Sequence, residues 1–303
     1  MEGNRVKLPN KSARHALFGS VPSGPKKKPV AKEKMQDLQN QHGAYLFPIQ
    51  SVGVSNVKYP VHVRSSLEPA DQQALAVFQL TSSLPSSVKG TNMSRFMEEL
   101  EEARVKGELA ADFDSLTALG QRLIERLDQQ DVQIRMEFPW MFHRTGPAAE
   151  LGGINHAEAA MDISFSEMSM TRKASMTCAV TTLCPCSKEI SEYSAHNQRG
   201  YITMDVEFNE RFSSTLDWKA ELLEAAETNA SAFIHPVLKR TDEKMVTEKA
   251  YENPRFVEDI VRLVAADLYE LDYIDSFCVK CRNEESIHLH DAYAEVTIDK
   301  TAK

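Results

Sequence analysis

Hydrophobic period runs twice through one order of elements along this chain: strands, two helices, strands. VKYPVHVRS (57–65) and ALAVFQLTSS (74–83) have the composition of strands, and TNMSRFMEELEEARVKGE (91–108) and DSLTALGQRLIERLDQQ (114–130) carry apolar residues at helical spacing. VQIRMEFPWMF (132–142) then alternates Val132, Ile134, Met136 and Phe138 in the period of two of a half-buried strand. A similar series restarts after the Gly-containing break GPAAELGG (146–153). ASMTCAVTTL (174–183) and YITMDVEFNE (201–210) are predicted strands, LDWKAELLEAAETNASAF (216–233) and NPRFVEDIVRLVAADLYEL (253–271) predicted helices, and SFCVKCRNE and AYAEVTI predicted closing strands. The repetition predicts an α+β chain of two tandem antiparallel-sheet-plus-two-helix modules, 44–150 and 151–303. SSLPSSVK (82–89) laid over TLCPCSKE (182–189) at a shift of 100 aligns Pro85 with Pro185 and Ser87 with Ser187, and suggests a first copy that kept the fold without the thiols.

Residues 1–43 precede the first module. Lys7, Lys11, Lys26, Lys27, Lys28, Lys32 and Lys34 stand there among Pro and Ser with few large apolar residues, the composition of a disordered basic tail. The chain as a whole is acidic, with a formal net charge of −9, which argues against a general nucleic-acid or anionic-membrane binder. An anionic ligand must then be caught by a local basic pocket. No apolar run reaches the roughly 18 residues of a membrane span, and no secretory signal opens the chain, so a cytoplasmic protein is expected. Five cysteines are an odd number at low density, which leaves thiols free for metal or nucleophile chemistry.

Two of those thiols, Cys184 and Cys186, stand one proline apart in TLCPCSKEISEYSAHNQRG, with His196 twelve residues after the first. In an extended segment residues i and i+2 project to one side, so both can face one pocket. One can bind a metal while the other acts as nucleophile or proton donor, both can bind one ion, or both can fill a core beside a proline turn. The polar neighbours Ser187, Lys188 and Glu189 weigh against the core. A helix start near Ser187, with Lys188 beside it, would stabilise a thiolate. Cys278 and Cys281 form the other pair, CVKC; on a strand, i and i+3 point to opposite faces, so they read as strand residues. EESIHLHDAYAEVTI puts His288 and His290 at strand spacing on one face. The run from His235 to Glu258 holds Lys239, Arg240, Glu243, Lys244, Glu248 and Arg255, a solvated helix end or a cluster able to take a phosphate chain. Composition and spacing alone reach a metal or thiol enzyme acting on a small polar substrate.

The strings TLCPCSKEISEYSAHNQRG, VLKRTDEKMVTEKAYENPRFVEDIVR and CRNEESIHLHDAYA resemble the signature blocks of the prokaryotic type IB GTP cyclohydrolase I family, and the resemblance runs from about residue 48 to the C-terminus. It implies the tunnel fold, in which such modules assemble into an oligomeric barrel with sites between subunits; a homotetramer is the expected count. It implies GTP as partner and substrate, converted with water to 7,8-dihydroneopterin triphosphate and formate, the entry to folate. It implies one divalent metal per site, with Zn, Mn or Fe as candidates. Residue by residue, Cys184, His196 and Glu243 match the metal ligands, Cys186 the substrate-contacting cysteine, His288 the proton carrier and Glu258 the glutamate on the guanine edge. The two histidines are open to exchange, with His288 as the alternative ligand. Lys188, Arg199, Lys239, Arg240 and Arg255 form the basic pool for the triphosphate. Against this stand another tunnel-fold purine or pterin enzyme, either a cyclic-phosphate-forming cyclohydrolase or a nitrile reductase, and a non-catalytic metal-bound ligand-binding module.

Overall fold

The computed structural model describes residues 8–18, 30–31, 37–39, 41–149, 151–166 and 169–302. Eight strands form one antiparallel sheet in chain order: β1 (Ile49–Arg64), β2 (Asp71–Leu84), β3 (Val132–Thr145), β4 (Gly152–Ser166), β5 (Ser169–Leu183), β6 (Asn197–Phe208), β7 (Ile274–Glu284) and β8 (Ala292–Asp299). Two helices, α2 (Met93–Lys106) and α3 (Phe113–Leu127), stand between β2 and β3; α5 (Trp218–Thr228), α6 (Arg240–Glu252) and α7 (Val257–Glu270) stand between β6 and β7. Short helices α1 (Lys11–Leu17) and α4 (Pro185–Ile190) lie outside this repeat.

The duplication is present, with its boundary between β4 and β5 rather than at 150/151, so that each half holds four strands around its helices. This changes the internal match. CPC follows β5, the first strand of its half, whereas in SSLPSS the end of β2, the second strand of the other half, is followed by PSS (85–87). The counterpart of the CPC turn is therefore the β1–β2 turn, SSLEPA (65–70), and the alignment at a shift of 100 pairs non-equivalent loops. The second half also carries α6, a helix without a counterpart in the first.

One face of the sheet is packed by helices. Along β3 every second residue, Val132, Ile134, Met136, Phe138 and Trp140, is buried, as the period of two predicts. On α3 the spacing of Leu116, Leu119, Leu123 and Leu127 lays one apolar stripe on that face, and Asp112 caps its start by accepting from Ser115 N–H at 2.7 Å. Gly120 lies in the stripe because a Cβ there would stand 2.1 Å from the Phe165 ring. Gly120→Ala is thus expected to lower stability by about 1–3 kcal/mol through overpacking, although alanine is the better helix former by about 1 kcal/mol. Urea unfolding checks this, and a raised midpoint would contradict it. The other face carries charge: Arg135 pairs with Asp162 at 2.5 Å, Lys280 with Asp205 at 3.0 Å and Lys173 with Glu207 at 3.1 Å.

The two halves are stitched by side chains. Asp217, ahead of α5, accepts from Ser65 Oγ at 2.8 Å and Ser66 N–H at 2.7 Å in the β1–β2 turn, and pairs with the buried Lys219 at 2.6 Å. Of the tail lysines only Lys11 lies among the described residues, at the start of α1, whose N-cap Asn10 accepts from Ala13 N–H at 2.9 Å. Gln41 O accepts from Lys89 N–H at 3.0 Å and Gly43 N–H donates to Ser87 O at 2.9 Å, so paired chain begins before residue 44. The rest of the expected disordered tail lies largely outside the described residues.

Candidate functional site

Strand β5 ends at Leu183, opposite Asn197 at the start of β6. The chain then turns directly into α4, with Cys184 as its N-cap and Pro185 in its first turn, where a missing N–H costs nothing. The CPC segment is therefore not extended, and the same-side projection expected of Cys184 and Cys186 does not apply. Cys184 Sγ accepts from Ser187 N–H at 3.5 Å, and Cys186 stands exposed inside the helix. The helix starts two residues before the expected Ser187.

Backbone and hydroxyl contacts bring His196 back to this turn. Cys184 N–H donates to His196 O at 3.1 Å, and His196 N–H donates to Ser187 Oγ at 3.2 Å. On the imidazole, Nδ1 lies 3.4 Å from Ser286 Oγ and 3.9 Å from Glu285 Oε2. Glu285, half of the EE pair ahead of SIHLH, also accepts from Gln198 Nε2 at 3.2 Å. The Glu285 carboxylate thus lies within ion-pair reach of the ring but beyond hydrogen-bond distance. Sequence reading missed Glu285, for its only signal was an acid beside a histidine-rich loop.

His288 and His290 lie in the β7–β8 loop, not on a strand; their rings nonetheless stack, centroids 4.9 Å apart and planes 17° from parallel. The same loop supplies Glu285 and Ser286 to His196, so it joins the CPC turn at one end of the sheet.

The charge run from Lys239 is not a helix end but a helix of its own, α6. Val246 and Ala250 pack with Leu183 and Ala195, which sets α6 against the turn bearing Cys184 and His196. Glu243 stands exposed in the first turn of α6, one turn before Val246. Its neighbour Asp242 is fully buried and accepts from Ala148 N–H at 2.7 Å, Ala149 N–H at 2.9 Å and Lys239 N–H at 3.0 Å. The Lys239 N–H, then those of Ala148 and Ala149, hold its carboxyl below the usual range. Glu258 stands exposed in the first turn of α7, and Arg255 N–H just before it donates to Leu183 O at 3.0 Å, which draws the start of α7 to the same strand end.

The basic pool is divided. Lys188 Nζ donates to Tyr251 O at 2.6 Å and lies 4.4 Å from the Tyr251 ring centre, and Arg255 donates to Asn229 O and Pro254 O at 3.3 and 3.0 Å. Arg199, Lys239 and Arg240 are exposed. The second cysteine pair falls on β7, where Cys281 is buried and its thiol pushed up to about 12 by desolvation, while Cys278 on the opposite face is also raised by partial burial. Neither is poised as a thiolate.

Among the described residues no three His, Cys, Asp or Glu side chains converge as a cage for a metal ion. A Cys, His and Glu set has the chemistry of a catalytic divalent site, but within one chain Cys184 and His196 share a turn while Glu243 stands apart on α6.

Over residues 35–294 the sequence matches the family model described as Type I GTP cyclohydrolase folE2. The chain belongs to this FolE2 family. The GTP cyclohydrolase FolE2 of Oceanobacillus iheyensis is 53% identical over 301 residues, 99% of each chain, and that of Bacillus subtilis is 50% identical over 294 residues, 97% of this chain and 96% of its own. These alignments take in the lysine-rich N-terminal segment, which the signature blocks had left outside. As a FolE2 member the chain is a hydrolase of the GTP cyclohydrolase I kind in folate biosynthesis, and the family is metal-dependent. Uricase from Arthrobacter globiformis, with 10% identity, superposes with a TM-score of 0.51 over 84% of this chain and 94% of its own, which shows the shared tunnel fold alone. Among the described residues no helix is long and apolar enough to cross a membrane.

Proposed function

We propose that this chain, as a prokaryotic type IB enzyme, converts GTP and water to 7,8-dihydroneopterin triphosphate and formate at a site built from the CPC turn, helix α6, the start of α7 and the β7–β8 loop. The observation that carries this reading is the seating of His196 beside Cys184, with Ser286 of the loop that bears His288 3.4 Å from its Nδ1. In this reading Cys184, His196 and Glu243 hold one divalent ion, Zn, Mn or Fe, with His288 as the alternative to His196. When bound, such an ion supplies a water of lowered pKa at neutral pH.

The remaining work falls to the chain's own residues. Glu258 accepts from N1–H and the 2-amino group of guanine together, which a carboxylate can do with its two oxygens. Arg199, Lys239 and Arg240 are exposed cations able to meet the triphosphate. Lys188 joins them only by leaving the Tyr251 carbonyl. In this reading Cys186, exposed on α4, contacts the purine near C8, and His288 carries the proton to the ring nitrogen released as the imidazole opens. C8 departs as formate, the ribose carbons rearrange, and closure of the second ring leaves the pterin, with one water consumed in total.

A homotetramer in the cytoplasm completes the proposal. Its support is the sheet itself, whose outer strands β1 and β8 each have one paired neighbour in the sheet order and are free to continue into other copies. Incubation with GTP is expected to release formate, and no release from the metal-loaded protein would overturn the reading.

Glu285→Gln is expected to lower kcat/KM by about 10–100-fold, because it removes the negative charge beside the His196 ring. Unchanged kinetics would remove Glu285 from the site.

A further inference from the structure

We propose that Asp242 is a positioning residue, which holds the α6 turn carrying Lys239, Arg240 and Glu243 on the β3–β4 hairpin of the half that bears no site cysteine. This rests on the reading above that the turn faces the substrate. A carboxylate excluded from water is costly unless its lone pairs are met. Asp242 is 0% exposed, between the exposed Thr241 and Glu243, and its hydrogen-bond partners are three backbone N–H groups. One of these, Lys239 N–H, is the ordinary capping contact of a helix start. The other two, Ala148 and Ala149, belong to the hairpin loop between β3 and β4 and contribute nothing to helix formation. What they do is fix where the helix begins.

The loop is shaped for this contact. A Cβ on Gly146 would stand 2.9 Å from the Asp242 carboxylate, so the Gly-containing break of the sequence is the space Asp242 occupies. The segment leading into α6 is fastened to the same hairpin: Asn155 Nδ2 donates to Ile234 O at 2.8 Å, and His235 Nδ1, facing the Thr145 carbonyl at 2.9 Å, must donate. At its far end α6 is held by Val246 and Ala250 on Leu183 and Ala195, and by Lys188 on the Tyr251 carbonyl. The helix is thus pinned at both ends across the two halves, and Glu243 sits at the end that Asp242 pins. In the second half the equivalent hairpin, β7–β8, bears His288; in the first, the loop holds the helix instead.

Asp242→Asn turns one acceptor oxygen into a donor facing an N–H, and Gly146→Ala presses on the same contact from the hairpin side. Asp112→Ala, which removes the side-chain cap of α3, is the control for a purely structural loss, since α3 carries no site residue. Steady-state kinetics well below each variant's melting temperature, with amide hydrogen exchange over the α6 turn, separate the roles. Both Asp242→Asn and Gly146→Ala should lower kcat/KM by about 100-fold, the cost of a misplaced group, and speed exchange at Ala148 and Ala149. Asp112→Ala should match the wild type within about twofold. If the Asp242 and Gly146 variants also match the wild type, the proposal is overturned. Wild-type kinetics in Glu243→Gln and Arg240→Ala beside a defective Asp242→Asn would instead remove those two assignments and leave the positioning role standing.

Discussion

Cys186→Ala is expected to lose formate release from GTP by about 10²–10⁴-fold, the range for removal of a group acting directly on the reacting atoms, with little change in melting temperature. The reason for the split lies in where the residue sits. Cys186 is exposed within α4, outside the buried core, so truncation opens no internal cavity. Cys184 differs, because its sulfur accepts from Ser187 N–H and its backbone is bonded to His196. Cys184→Ala should therefore loosen the turn as well as the site, whereas Cys186→Ala isolates the chemistry. Calorimetry and a formate assay on the same preparation measure both quantities. Near-normal turnover in Cys186→Ala would end the division of labour proposed for the two thiols.

Metal removal has the second large effect. Dialysis against a chelator is expected to reduce formate release to background, and a single divalent ion returned stoichiometrically should restore it. The purine C8 is a poor electrophile, and water at neutral pH is a weak nucleophile unless its pKa is lowered. A nitrile reductase on the same fold would need a thiolate and a nicotinamide and would release no formate from GTP, and full formate release after metal removal would overturn the metal reading.

The parts of the fold legible in the sequence were those where burial alone sets the pattern. The stripe Leu116, Leu119, Leu123, Leu127 and the alternation from Val132 to Phe138 each fill one face of one element, and the structure returns both. Helix α6 was hidden because it is amphipathic only weakly: of RTDEKMVTEKAYE just Asp242 and Ala250 are buried, so a packed helix carried the composition of a solvated one. The CPC turn misled for a different reason. Pro185 is compatible with an extended pair and with a first helical turn, and only the end of β5 at Leu183 decides between them. The internal match at a shift of 100 failed because eight residues around a proline describe a turn, not its place in a repeat. The site residues were legible as strings, through the family blocks, but the groups that hold them were not. Asp242 and Glu285 act through backbone amides and a neighbouring ring contributed by distant segments, and such partners leave no spacing in the chain.

The most direct test is the mass of what the metal-loaded protein makes from GTP. Equimolar formate and a product with the mass of 7,8-dihydroneopterin triphosphate, all three phosphates retained in an open chain, are expected. A cyclic phosphate product, or GTP recovered intact, would contradict the account.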